Sequence, residues 1–418
     1  MEYELIRLGL EKVIGDELYS IIEGDILEEI IKESKIERVE NDWKYLLEGH
    51  SFKVTPEMAP ALYRLFSNTA ERLEFKDPIE YYVTNSADFN ASAIAGINEG
   101  TPHIINLNSR LVERLDDDEL RFVAGHEIGH LISKNANITR LIQFVFPDPS
   151  RIPLIMYNKI TTWRKLSELT ADRFGYIASP SLEKCVSGFF KTSSGLDIKR
   201  INFRYESYLA ESEKSLNYYI ENNALNLSTH PINPIRLKAI ELFSKSEIWA
   251  KLNNRELLTT DTKLDEQIDG LLKILMTISN DAFDHYRKQF IIAAGILMAG
   301  ADKQINEDEY ENILHVLAGF TIFPKTLLDS YLVEEHDILK IVCESAIKLI
   351  ENNPSEKYVL LEYMINIALS DKEISPVEIG LINDFGQKVL SFSPIEIARI
   401  LAAQIQLRFM PDVYGYGR

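Results

Sequence analysis

A chain of 418 residues exceeds what one hydrophobic core supports, and its length predicts two domains with a small N-terminal element. Hydrophobic residues make up 45% and charged residues 26%, an ordinary globular balance that excludes disorder and lets each domain bury a sizeable core. The 64 acidic residues outnumber the 45 basic ones for a formal charge of -19, which disfavours nucleic acid and anionic membranes and favours peptide or protein partners.

The opening MEYELIRLGLEKV lacks the basic and apolar regions of a secretory signal, so the expected location is the cytoplasm. Over residues 1–54, apolar positions at helical spacing, among them Leu5, Leu8, Ile14, Leu18 and Ile22, predict a helical element interrupted by Gly24. Residues 55–245 form the second region. It begins with a helix from Pro56 to about Leu73 and a strand at Pro78–Val83, where PIEYYV is aromatic and β-branched. Ile104–Leu107 reads as another strand, ahead of a long helix beginning near Asp116. The run Asp116, Asp117, Asp118, Glu119 suits that helix start, where carboxylates complement the dipole and one can cap free amides.

Residues 135–165, with Pro147, Pro149 and Pro153, read as an irregular excursion beside a cleft, suited to act as a lid. Asn233 and Pro234 predict a cap and a first-turn proline for PIRLKAIELF. The polar stretch 246–269 is the expected linker, and 270–418 reads as helix throughout. The longest apolar run, Phe290–Ala301, is too short for a bilayer, so no membrane span is expected. Cys185 and Cys343 lie far apart, which predicts a reducing compartment and no disulfide framework, and neither has the neighbours of a nucleophile.

The chemistry concentrates in HEIGH. His126 and His130 are four residues apart, so on a helix they share a face and offer two imidazoles to one tetrahedral zinc ion. Glu127 beside them is placed to act as general base, taking a proton from water and passing it to a leaving amine. Ala124, Gly125 and Gly129 keep the helix surface small enough for a second helix or a substrate backbone to approach. A third ligand is needed, and ELTAD supplies Glu168 and Asp172, again four apart. Glu168 is assigned to the metal and Asp172 to a hydrogen bond with a ligand histidine; spacing alone leaves the reverse open. The bland reading, a solvated charged helix with two unrelated histidines, fits poorly with Val123, Ile128 and Leu131 on its flanks.

HEIGH, ELTAD and THPINPIR together resemble the soluble domain of HtpX and CAAX-prenyl-protease type zinc metallopeptidases, which are gluzincins, over about residues 55–245. The resemblance implies that His230 stabilises a tetrahedral oxyanion and that Arg236 anchors the site. By itself, a histidine before a proline is often only a loop residue. In that family an asparagine-alanine segment leads to an edge strand that pairs with substrate, and Asn90 and Ala91, then His103, Ile104 and Ile105 of HIINL, occupy the position. The family's Pro-Gly-Gly is replaced here by SAIAG. Its relatives are commonly membrane-embedded, so their membrane-linked substrates are not carried over.

The last region contains a repeat. ADKQINEDE at Ala301–Glu309 matches SDKEISPVE at Ser370–Glu378, and Pro324 and Pro394 continue the match. The pattern resembles the TerB-like helical fold, which implies a weak metal site at Asp302, Glu309, Asp371 and Glu378. The competing reading is that Asn306 with Glu309, and Ser375 with Glu378, are capping boxes at helix starts, and this one is preferred. An EF-hand is excluded because Glu307 and Pro376 stand where its glycine is required.

The expected fold is therefore α+β and mainly α: a gluzincin domain with a small edge sheet, followed by an all-α TerB-like bundle. The expected function is a zinc endopeptidase with one catalytic ion, acting on peptide or protein substrates. Its C-terminal domain would regulate the site or recruit a protein partner. The competing reading is a non-catalytic, zinc-containing interaction protein whose TerB-like domain is the working part.

Overall fold

The computed structural model describes residues 1–33, 38–96, 100–222, 230–278, 281–301, 306–333, 336–370 and 374–408. It divides into two units, Met1–Thr277 and Ile278–Arg418. The architecture is mainly helical with one small mixed sheet, as the hydrophobic periodicity leads one to expect.

The N-terminal unit starts with α1 (Tyr3–Ile6), α2 (Gly9–Ile21), α3 (Gly24–Glu33) and α4 (Arg38–His50). Then come β1 (Ser51–Val54), α5 (Pro60–Arg72), β2 (Ile79–Thr84), β3 (Ala91–Ile94), β4 (His103–Asn108) and α6 (Ser109–Arg114). Strand order is β1-β2-β4-β3, with β2 and β4 parallel and the other two pairs antiparallel. Strand β4 is thus an interior strand, and β1 and β3 are the two edges. Tyr81, Ile105 and Leu107 share one buried face of the sheet, and Tyr82 with Ile104 packs the other face against Leu47.

Helix α7 (Asp117–Ile132) begins where its acidic run predicts. Asp116 accepts from the backbone of Asp118 and Glu119, and the Glu119 carboxylate accepts from the Asp116 amide at 2.8 Å, a complete capping box. After it come α8 (Asn135–Val145), α9 (Leu154–Ala178), α10 (Leu182–Ser194), α11 (Tyr205–Glu221) and α12 (Asn233–Ser244). Residues 135–165 are therefore mostly helical and not an irregular excursion. Ile138, Leu141 and Ile142 bury one face of α8, and the three prolines only break the chain between α8 and α9. Helix α12 starts after Ile232, so Asn233 is its first residue and caps nothing.

The pairing of α7 with α9 organises the unit. A methyl group on Gly129 would stand 2.9 Å from the Phe174 Cβ, and one on Gly175 would stand 2.8 Å from the Phe122 carbonyl oxygen. Only glycine lets the two helices come this close. On the other side of α9, the Leu8 amide donates to Thr170 Oγ1 at 3.2 Å and Arg173 Nη1 donates to the Ile6 carbonyl at 2.8 Å. The N-terminal helices are accordingly part of this unit and not an element apart.

The stretch expected as a linker, 246–269, is also part of it. It holds α13 (Glu247–Asn254) and the first turns of α14 (Thr262–Met276), capped by Ser246 and Asp261, with Ile248, Leu264 and Ile268 buried. Polar composition there reflects two caps and their exposed faces. The division falls after Thr277.

The C-terminal unit contains α15 (Asp284–Ala299), α16 (Glu307–Leu317), α17 (Pro324–Val333), α18 (Ile338–Asn352), α19 (Glu356–Ala368), α20 (Pro376–Lys388) and α21 (Pro394–Arg408). Helices α16 and α20 begin 69 residues apart, at 307 and 376, and α17 and α21 begin 70 apart, at 324 and 394. Its core gathers Phe290, Ala294, Ile313, Val342, Leu361 and Met364, and the buried Tyr363 hydroxyl donates to the Ile291 carbonyl at 2.7 Å. No helix among the described residues is long and apolar enough to cross a membrane.

Candidate metal centre

Helix α7 presents His126 and His130 on one face, and α9 brings Glu168 opposite them. The two imidazole Nε2 atoms lie 3.1 Å apart, and each is 3.5 Å from a Glu168 carboxylate oxygen. Among the described residues this is the cluster of histidine, cysteine and carboxylate groups whose ligand atoms converge tightly enough to hold a metal ion. Zinc bonded at about 2.0–2.1 Å to tetrahedral donors needs those donors about 3.3–3.4 Å apart. The observed triangle meets that requirement.

Asp172 faces the other way. Its carboxylate, fully buried, lies 2.9 Å from His126 Nδ1 and accepts from Arg236 Nε at 2.8 Å and Nη2 at 2.6 Å. A carboxylate at Nδ1 fixes that nitrogen as the donor and leaves the Nε2 lone pair toward Glu168. Of the two carboxylates that spacing could not separate, Glu168 is the one on the Nε2 side. Arg236 Nη1 also reaches Glu168 at 3.4 Å, and its guanidinium lies 4.7 Å from the centre of the Phe189 ring.

Electrostatics follow from these contacts. Burial alone would raise the Glu168 pKa, but His130, Arg236 and His126 outweigh it and hold the carboxyl well below the usual range. At Asp172 burial is likewise overcome, here by Arg236 and then His126. Glu127, buried at 7% exposure, has its pKa raised by that burial against the opposing pull of His126 and His130.

The site opens into a cleft of about 990 Å³. Its walls are β3 with Asn90, the Ala136, Thr139, Arg140 and Gln143 face of α8, the second half of α10 around Phe189, and His230. His230 is exposed on the rim, its Nε2 3.8 Å from Glu168.

The strand expected to meet substrate is different. His103, Ile104 and Ile105 lie on β4, which is paired on both sides and offers no free edge. Ile104 and Ile105 are buried, and His103 Nδ1 accepts from the Gly96 amide at 2.9 Å, at the end of the sheet. The edge strand that lines the cleft is β3, and it starts with Ala91. Four residues of ASAI were too short a pattern to reveal a strand.

In the repeat, Asp302 and Asp371 lie outside the described residues. Glu309 and Glu378 complete capping boxes, accepting from the amides of Asn306 at 3.0 Å and Ser375 at 2.6 Å. Two cleft residues were not singled out in the sequence, Arg140 and Arg164. Arg164 stands four before Glu168, a spacing that puts both on one face of α9.

Residues 56–149 match the model of peptidase family M48. The matched segment includes β2 to α8, and with them His126, Glu127 and His130; Glu168, Asp172 and Arg236 lie beyond it. The chain is also 28% identical over 221 residues to the plastoglobule-localized metallopeptidase 48, chloroplastic, of Arabidopsis thaliana, the aligned part being 50% of this chain. It spans 63% of that relative's length. No solved structure matches the chain. Both likenesses are to metallopeptidases, and the M48-like segment carries two of the three candidate metal ligands, His126 and His130.

Proposed function

We propose that the chain is a zinc-dependent endopeptidase in which His126, His130 and Glu168 hold one zinc ion. The observation that carries this reading is the triangle of two Nε2 atoms and a carboxylate, at zinc-ligand spacing, open to a cleft that also receives Glu127. Bound there, zinc would supply a Lewis acid for the scissile carbonyl and lower the pKa of a water. Glu127 takes the proton of the attacking water and returns it to the leaving amine, a transfer favoured by the raised pKa of its buried carboxyl. Asp172 fixes the His126 tautomer and is itself held by Arg236. His230, on the rim, donates to the developing oxyanion.

Substrate adds as a strand to the free edge of β3, beginning beside Asn90 and Ala91, and strand addition grips the interior of a peptide, which favours cleavage within a chain. Partners are peptides or proteins rather than nucleic acid, in keeping with the charge of -19. The C-terminal unit is proposed to be a TerB-like bundle that regulates the peptidase or recruits a protein to it, a reading supported by its repeated helix starts. Two free thiols, Cys185 and Cys343, agree with a reducing compartment, and the cytoplasm is the proposed location.

The test is elemental zinc per chain in wild type and His126→Ala after loosely held metal is removed. About one zinc, lost in the variant, is the expected result. A folded wild type that neither carries nor takes up zinc overturns the peptidase, and the C-terminal unit then becomes the working part.

A further inference from the structure

Beyond the metal and the general base, the cleft has a charge pattern of its own. Its acidic lining residues, among those described, are Glu127 and Glu168, both committed to the centre. Its cations are Arg236, occupied by Asp172 and Glu168, and then Arg140 and Arg164. In a chain whose acids outnumber its bases 64 to 45, a wall with two further cations and no further acid is unexpected.

Arg164 is the more telling of the two. It lies one helical turn before Glu168 on α9, so both side chains leave the same face and enter the same cleft. The residue is exposed, and among the described residues it makes no ion pair. Protein around the guanidinium pulls its pKa down, with Tyr157 as the opposing influence, yet a guanidinium keeps its charge at any working pH. Arg140 sits in the i, i+3, i+4, i+7 face that α8 turns toward the same space, with Ala136, Thr139 and Gln143. Four residues of helix span about 6 Å. An extended peptide advances about 3.3 Å per residue, so Arg164 stands within one or two residues of the bond facing Glu168.

We propose that Arg164 selects substrates that present a carboxylate one or two residues from the scissile bond. The chemistry is a planar guanidinium receiving a carboxylate, which forms two parallel hydrogen bonds in the relatively dry cleft once peptide covers it. An aspartate or glutamate side chain supplies that group in mid-chain, and a free C-terminus supplies it at a chain end. This deepens the peptidase reading and rests on it.

The test uses the full-length zinc-loaded protein and internally quenched peptides, with each position flanking the cut compared as glutamate and as glutamine. Wild type is expected to favour glutamate by about five-fold in kcat/KM at one position, mainly through KM, and to lose that preference in 0.5 M salt, where a Debye length falls to about 4 Å. Arg164→Glu is expected to reverse the preference toward lysine, and Arg164→Lys to keep part of it, both with zinc content at the wild-type level. A second pair, ending in a free carboxylate or a carboxamide at the same position, separates an acidic side chain from a chain end. Equal rates for both members of both pairs, or a glutamate preference that survives Arg164→Glu, overturn the assignment while leaving the peptidase standing. Failure to cleave any peptide in the presence of bound zinc overturns the peptidase, and this selectivity with it.

Discussion

Glu168 in the N-terminal unit and Glu309 and Glu378 in the C-terminal unit are all largely withdrawn from water, Glu168 the least, but their charges are answered differently. Glu309 and Glu378 turn back on amides three residues away, at their own helix starts. Glu168 is answered from two other helices, by His126 and His130 on α7 and by Arg236 on α12. A local cap turns the carboxylate back on its own helix start, whereas Glu168 keeps its oxygens toward the Nε2 atoms of two histidines on another helix. What separates a metal ligand from a cap is therefore what it faces. Three variants of the N-terminal unit and one of the C-terminal unit break or sharpen this contrast.

The largest effect belongs to Glu127→Gln. The amide cannot accept the proton of water, so turnover of any cleaved peptide should fall by about 10²–10⁴-fold with zinc still at one per chain. Peptide hydrolysis and elemental analysis on the same preparation check both halves. Retained turnover would remove Glu127 from the proton path and leave another group to accept the proton of water. Next is Arg236→Ala, which strands the fully buried Asp172 without its guanidinium. Leaving a buried charge uncompensated costs about 3–5 kcal/mol, and loss of the group orienting a ligand histidine weakens metal binding by about 10- to 100-fold. The tryptophans, Trp43, Trp163 and Trp249, all fall within the N-terminal unit, so urea unfolding followed by their fluorescence reads this loss where it occurs. A change under 1 kcal/mol would mean that Asp172 is neutral.

Much of this site was legible because its signals are short and local. HEIGH and ELTAD each place two side chains on one helix face by spacing alone, and Asp116 with Glu119 announced the start of α7. The tie between Glu168 and Asp172 could not be broken that way, because it depends on which side of His126 each meets, and that is set by the packing of α9 on α7. The edge strand was misplaced for a related reason. HIINL is apolar because it is buried between two neighbours, and the true edge, ASAI, is too short and too small to announce itself. Polar residues at 246–269 and prolines at 147–153 suggested irregular chain, yet Ser246 and Asp261 are caps and the prolines break only one junction. Composition sees caps and exposed helix faces as loop, since the burial that distinguishes them is tertiary.

The two smaller effects bear on what holds each acidic helix in place. Gly129→Ala puts a methyl group 2.9 Å from the Phe174 Cβ and 3.1 Å from the Ala171 Cα, where backbone as well as side chain must give way. Forcing α7 from α9 should cost about 1–3 kcal/mol by tryptophan fluorescence and should also loosen zinc, since the ligands are divided between these helices. Normal zinc affinity with reduced stability would show that the triangle tolerates a shift. Ser375→Ala is its counterpart at the start of α20, where it removes the acceptor for the Glu378 amide at 3.2 Å. The expected loss is about 1 kcal/mol, seen by circular dichroism, with zinc per chain unchanged. If zinc instead fell from two to one, Glu378 would be a ligand and not only a cap, and the contrast with Glu168 would disappear.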